Sequence, residues 1–595
     1  MSRNVCIVSG KGGKYKYVRV CESYRNAEGK PRSRTIENHG SLDELLKKDP
    51  LYVEKLRERV AKENAAAKSA LLGGLESSAQ ERIRRLETAA AGGPDYGHVK
   101  KLGLGSALLR QVWKEDLNLP QLFRYLQSKT KIEYSYEKAA FLLCAGRILN
   151  PGSKKRTFAR KDRSIVPYDE LSDINAVYRV LDRLAADKEA VVRHLDREIG
   201  KRMERRLTAA FYDVTTYAFE SRTADELRDF GLSKDHKVNE VQVVLGLVMD
   251  EDGIPIDYEL FPGCTSEFGT MLPLIARIKK KHGAERLTVV ADRGLNSNEN
   301  LQGLKDLGCD FVIAQKVKSC SEAQKAAILN EENWSDFVLG DDGEILCKYK
   351  VMDVRKDIFE TRLSASTGRK YTSSKKIDAI DVKWVVSHSL SRAAKDLAEL
   401  DRAVEKAKKA LKNKSCLSSR GYKSLISIPS EGTPTLNTRK IEEARKWAGY
   451  YAICTSLDKV DPKEIMRIYR NLWRIEDCFR ISKDVLEARP CFVWTPDHIR
   501  GHFVSCYISL VLEKYMLNTL KAKLQGMTTE VMNEALREAE VGYDDGNPQM
   551  PVYLRLYPAE SRFDEMLKVF GLEPPCRYEQ KASLRKKLRL KQIVG

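Results

Sequence analysis

The rhythm of apolar and polar positions changes character at Leu207. Upstream, helical periodicities run over 108–117, 136–149, 174–184 and 191–206. Downstream, LTAAFYDVTTYAFE reads as a strand, VQVVLGLVM as a second, and DEDG turns the chain into a third, IPIDYELF. A helical segment over 271–281 comes next, then LTVVAD, an almost wholly apolar run suited to a strand buried on both faces. A helix over 298–307 leads into FVIAQ, and YYAICTS, 450–456, returns later as a strand.

The stretch DPKEIMRIYRNLWRIEDCFRISKDVL, 461–486, predicts one long helix. Asp461 suits the cap, Pro462 the first turn, and Glu464 lies three residues after the cap. Ile465, Ile468, Tyr469, Leu472, Ile475 and Phe479 then recur at three- and four-residue steps and mark a buried stripe. Glu476 falls on that stripe. A buried carboxylate is costly unless it is paired, hydrogen-bonded or metal-bound. The ordinary explanation is an ion pair with Arg480 one turn on. Tyr469, Glu476 and Lys483 are spaced by seven, close to two helical turns, which predicts that all three project from one face.

The rest of the chain divides around this frame. Residues 1–45 alternate around Gly12-Gly13 and Asn26–Gly29 and predict a small β-hairpin module. Its SGKGGKYK lacks the spacing of a phosphate-binding loop, and Tyr15 stands where Ser or Thr belongs, so it reads as a basic turn. Residues 46–97 form a charged, alanine-rich helical linker that ends near AAAGGP. Residues 98–206 form a helical domain whose basic stretch 151–163, with Lys154, Lys155 and Arg156, is suited either to gripping DNA phosphates or to standing as a solvated loop, since spacing alone names no recognition helix. Residues 318–446 interrupt the sheet as an inserted subdomain within a 207–495 unit, and 496–595 is a helical C-terminal region with a basic tail. There His498, His502 and Cys506 are spaced by four; without a paired thiolate motif they read as core packing rather than a zinc site.

Composition narrows the partner. The net charge is +20 over 595 residues, which points to a polyanion, nucleic acid first. Thirteen cysteines, with no CxxC pair, read as scattered thiols of a reducing compartment. The N-terminus has no signal-peptide run, and the most apolar segment, 503–516, contains Glu513 and Lys514 and is too short to span a bilayer. The expected location is cytoplasmic, associated with the nucleoid.

Three strands in meander and then alternating helix and strand is the order of a ribonuclease-H-like sheet. In that topology the first and fourth strands are neighbours, so Asp213 and Asp292 converge at the sheet's carboxyl edge. Two carboxylates forced together repel unless a cation lies between them, and oxygen ligands favour Mg²⁺ or Mn²⁺.

FYDVTT around Asp213, VVADRGLNS around Asp292 and YRNLWRIEDCFRISK around Glu476 resemble the DDE transposases of bacterial insertion sequences, in the branch with a Tyr-x2-Arg-x3-Glu-x6-Lys signature. VCESYRNAEGKPRSRTIENHGSLDEL and ARPCFVWTPDHIRGH resemble the same group. The signature's Arg position is Leu472 here, with Arg470 and Arg474 nearby. The resemblance implies an α/β ribonuclease-H-like catalytic core with an inserted subdomain, preceded by a small β module and a helical DNA-binding domain. It implies that Asp213, Asp292 and Glu476 hold two divalent ions for DNA cleavage and strand transfer. It places Tyr469 and Lys483 on DNA near the scissile phosphate; Arg474, nearby but off the helical face of Glu476, is a further candidate for DNA contact. The implied partners are double-stranded DNA, at the element's inverted-repeat ends and at the target, and a second copy of the chain. The competing readings are a nuclease of the same fold that cuts without joining, and a non-catalytic DNA-binding repressor derived from a transposase.

Overall fold

The computed structural model describes residues 2–10, 15–25, 31–64, 80, 81, 84, 99–205, 207–231, 240–266, 269–340, 343–363, 370–412, 421–427, 433–459, 461–544 and 552–594. The expected turns at Gly12-Gly13 and Asn26–Gly29, and the AAAGGP boundary, lie outside them.

The N-terminal module has three antiparallel strands, β1 (Ser2–Ser9), β2 (Lys16–Arg25) and β3 (Pro31–Ser41), rather than a lone hairpin. Val18 and Val20 of β2 bury against Leu56 and Val60 of the next helical segment. That packing explains the third strand, because an isolated hairpin has little apolar face to bury.

After β4 (Val99–Gly103), helices α1 (Tyr136–Leu149), α2 (Lys154–Ala159), α3 (Ile174–Ala186) and α4 (Lys188–Arg202) lead into the central sheet. Its first strands are β5 (Ala209–Ala218), β6 (Gln242–Met249) and β7 (Pro255–Pro262), an antiparallel meander. Then come α5 (Met271–His282), β8 (Thr288–Ala291), α6 (Asn298–Asp306) and β9 (Asp310–Gln315). β8 lies parallel to both β5 and β9. The order β9-β8-β5-β6-β7 is that of the ribonuclease-H-like core.

The inserted segment departs from expectation. Its strands β10 (Asp336–Leu339), β11 (Ile345–Leu363) and β12 (Lys370–Ser389) continue the same sheet instead of forming a body of their own. They join through β15 (Tyr450–Thr455), which pairs antiparallel with both β12 and β9. The short β13 (Ile426–Ser427) and β14 (Thr435–Leu436) pair separately. The long α7 (Leu390–Lys412) succeeds β12 directly. The cause is backbone pairing: β9 would otherwise end the sheet as an unpaired edge.

Two apolar layers cover the sheet. One combines α5, α6 and alternate strand residues such as Tyr212, Val289 and Ile313. The other takes Phe211, Tyr217 and Val290 from the opposite face and is continuous through α1, α3, α4 and the 26-residue helix α10 (Pro496–Lys521). The 98–206 segment therefore shares its core with the sheet and the C-terminal region. α10 and α3 touch so closely at Gly501 that a Cβ there would meet the Leu181 carbonyl oxygen at 1.9 Å. The final small sheet joins β4 to β16 (Glu540–Asp544), β17 (Val552–Arg555) and β18 (Tyr578–Gln580). Among the described residues no helix is long and apolar enough to cross a membrane.

Candidate active site

β5 and β8 pair in register through Tyr212 and Ala291, so the next residues, Asp213 and Asp292, stand at the same level on adjacent parallel strands. Side chains alternate along strands. Phe211 and Val290 enter the layer shared with α10, so Asp213 and Asp292, two residues on, face that same side. Asp292 keeps extended backbone as β8 ends, and a 3-10 turn succeeds it over Arg293–Leu295.

The segment carrying Glu476 covers this face, but not as one helix. α8 (Pro462–Arg470), capped by Asp461, ends at Asn471, and α9 (Trp473–Arg480) then begins. Around the junction the amides of Asn471, Leu472, Arg474 and Ile475 each bond to the carbonyl three residues back, tighter than an α-helix. After α9 the backbone widens into a π-helical turn over Ile481–Val485. The expected common face is therefore broken, since seven residues no longer span two uniform turns.

Tyr469 and Glu476 both line one solvent-open cleft of about 880 Å³, together with Asp292. Lys483 does not line it; its ammonium lies 5.2 Å from the Tyr217 ring centroid. Glu476 is exposed rather than buried, because the tightened junction turns Leu472, Ile475, Cys478 and Phe479 inward in its place. Arg480 pairs with Asp477 at 2.8 Å and with Glu530 at 3.2 Å, so the ordinary ion pair expected for Glu476 is replaced by others.

The Tyr469 hydroxyl donates to Asp292 Oδ1 at 3.3 Å, and its ring lies 5.8 Å from that of Tyr451 on β15. Burial first, then Tyr451 and the Asp292 carboxylate, push the Tyr469 phenol well above its ordinary range. It thus stays protonated at neutral pH and acts as a donor. Behind α9, Lys514 of α10 bonds to Asp477 Oδ2 at 3.1 Å. Burial raises the Asp477 carboxyl, but Lys514 and Arg480 outweigh it and hold it below its ordinary value.

Other expected contacts lie elsewhere. Arg474 donates to the Glu251 carbonyl, and its methylenes pack over Gly253 in the β6–β7 turn, so it anchors α9 to the meander. Lys154 is 2% exposed, with its ammonium 2.8 Å from His502 Nδ1, which takes it away from any DNA surface; Lys155 and Arg156 beside it are exposed. Burial, more than any neighbouring charge, lowers the Lys154 ammonium to about 8. Leu472 is buried, and Arg470 lines the cleft next to it.

The opposite wall of the cleft was not foreseen. Arg392 and Lys395 of α7 line it with Asp396 and Glu399, and Arg293 stands beside Asp292. Arg392 also lies 4.3 Å from the Tyr451 ring centroid. Arg392 and Lys395 carry no local sequence signal, because they meet Asp292 only through the pairing of β12 with β15.

Asp213 does not line this cleft, and among the described residues no three His, Cys, Asp or Glu side chains are gathered closely enough to hold a metal as they stand. The acidic side still supplies hard carboxylate oxygens, the donor type divalent magnesium or manganese takes. Asp292 commits one oxygen to a phenol, and among the described residues its other oxygen accepts no hydrogen bond.

A ribonuclease-H-like core with one carboxylate within its first strand and another at the end of its fourth defines a class of enzymes that act on phosphodiesters. Residues 213–512 match the family model described as transposase DDE domain, and residues 7–89 match that of the IS1634 family transposase N-terminal domain. The chain belongs to the DDE transposases of bacterial insertion sequences, enzymes that cleave DNA and transfer its strands with divalent metal. No curated protein matches it. One solved structure it is similar to is the cryo-EM structure of piggyBac transposase synaptic complex with hairpin DNA, at 9% identity and a TM-score of 0.33, over 72% of this chain and 78% of that one. So low a score assigns nothing to this chain.

Proposed function

We propose that Asp213, Asp292 and Glu476 are the acidic triad of this transposase and would hold one or two Mg²⁺ or Mn²⁺ ions. The observation that supports this reading is the register of β5 and β8, which sets Asp213 beside Asp292 on the face that α8 and α9 cover. When bound, such ions supply activation of a water or 3′-hydroxyl and stabilisation of the leaving oxygen. The chain's own groups have separate tasks. Tyr469 holds the Asp292 carboxylate by its hydroxyl. Glu476, exposed on α9, closes the set by a movement of its flexible side chain and of the Asn471–Leu472 junction. Arg293, Arg470, Arg392 and Lys395 receive the DNA backbone along the cleft.

The substrate in this reading is the inverted-repeat end of the element, with specificity supplied by the N-terminal module and the 98–206 segment, including Lys155 and Arg156. Two ends are brought together by a homodimer at the nucleoid. Replacing Asp213 by Asn tests the assignment: cleavage of end DNA is lost while end binding persists. Retained cleavage, or loss of binding alone, overturns it.

A further inference from the structure

Two of the six tryptophans, Trp473 and Trp494, are more than half exposed, and they stand on the α9 segment and on the loop that leaves it. In that loop Cys491 and Val493 are buried, at 8% and 2%, while Phe492 and Trp494 are 50% and 59% exposed. Such alternation is that of extended chain, and it puts both aromatics on one side about 6.6 Å apart along the backbone. That is close to twice the roughly 3.4 Å rise of stacked bases along one strand.

The ring of Trp494 has a built support. Arg228, 7% exposed, lies with its guanidinium 6.0 Å from the Trp494 centroid and 5.7 Å from that of Phe219. Asp225 accepts from Arg228 Nε at 2.8 Å, while among the described residues the buried Nη1 has no hydrogen-bond partner. The flanking segments balance in charge: Arg228, Lys483, Arg489 and Arg500 stand against Asp225, Glu226, Asp484 and Asp497. What the patch offers is therefore aromatic surface more than positive charge. It also lies along β5 from the acids. Phe219 is six residues beyond Asp213, about 20 Å of strand or roughly six base-pair rises.

We propose that Phe492 and Trp494, backed by Arg228, form a platform on which unpaired bases of the DNA strand running out of the cleft stack. The platform rests on the placement of cleavage at Asp213 and Asp292. Exposed aromatics of this kind hold bases without reading sequence.

The test measures binding of the full-length chain, without metal, to a forked duplex with an unpaired oligothymidine flank and to the same duplex fully paired. Replacing Phe492 and Trp494 together by Ala is expected to weaken forked binding about tenfold or more and paired binding less than about twofold, with Trp494→Phe restoring most of the loss. In a Trp473→Phe background, oligothymidine is expected to quench Trp494 emission. Equal loss on both DNAs, no loss on either, absent quenching, or a change in oligomeric state that accounts for the loss overturns the platform. Asp292→Asn separates the two readings: if it still cleaves, the triad assignment fails and with it the placement of the platform beside the cleavage site, while forked binding that still depends on Phe492 and Trp494 keeps the base stacking itself.

Discussion

The acidic wall of the cleft and the cationic wall facing it are built from the chain in opposite ways. The acidic wall comes from one strand end, at Asp292, and one helical stretch, with Tyr469 and Glu476, each with its own local pattern. The facing wall comes from α7, inside the long insertion, where the cations Arg392 and Lys395 stand with Asp396 and Glu399, and it reaches Asp292 only because β12 pairs with β15 and so continues the sheet past β9. In the proposed reading the first wall carries the chemistry and the second the grip. The two should respond differently to mutation.

The largest effect is expected on the acidic side. Asp292→Asn keeps the hydrogen-bonding shape and removes a charge that the proposed divalent ions would need, so cleavage of end DNA is expected to fall at least about a thousandfold, with affinity changed little. On the cationic side, Arg392→Ala with Lys395→Ala is expected to act on binding. Affinity for end DNA falls about tenfold near physiological salt, and the dependence of log affinity on log salt becomes shallower by about one unit for each phosphate no longer neutralised. A salt titration of both variants checks the contrast. If the α7 variant loses turnover at saturating DNA and keeps its affinity, the division of labour between the walls is wrong.

That difference also marks what the sequence makes legible. The apolar strand runs in LTAAFYDVTTYAFE and LTVVAD are local properties, so the meander, the β5–β8 neighbourhood and the acids beside it can be read from residues alone. The break at Asn471–Leu472 cannot, because apolar spacing is the same on a continuous helix and on two that meet through a tight turn. It reverses the expected burial of Glu476 and parts Lys483 from Tyr469. Lys154 shows the same limit: a basic run marks charge but not direction, and His502, 348 residues away, draws this one lysine inward. Neighbours within the run should therefore differ. Lys155→Ala with Arg156→Ala is expected to lower DNA affinity severalfold without a change in melting temperature, whereas Lys154→Ala, leaving a buried void beside His502, is expected to lower stability by about 2 kcal/mol. Thermal melting read beside binding distinguishes them.

The smallest expected effect concerns the backing of the acidic wall. Glu513 of α10 lies one residue from Lys514, which holds Asp477 of α9. Its Oε1 accepts from Asn533 Nδ2 at 2.8 Å, while Oε2 is buried with no hydrogen-bond partner among the described residues. Burial raises this carboxyl from its ordinary 4.5 to about 7. A folded-state value above the unfolded one means that the folded chain binds the proton more tightly. The stabilisation is complete below about pH 4.5 and is lost as pH rises to about 7, at a cost on the order of 3 kcal/mol. Asp477 has the opposite sign, since its lowered value gives stability above its unfolded value that is lost as pH falls through the folded one, below the Glu513 window. Glu513→Gln keeps an acceptor for Asn533 and carries no charge. It is expected to melt higher than the parent at about pH 8, to match it near pH 4.5, and to flatten the melting curve's pH dependence between those points. Because α7 rests on none of these groups, the salt dependence of DNA binding should be the same in parent and variant, and a shift in that slope would mean that the two walls are mechanically coupled.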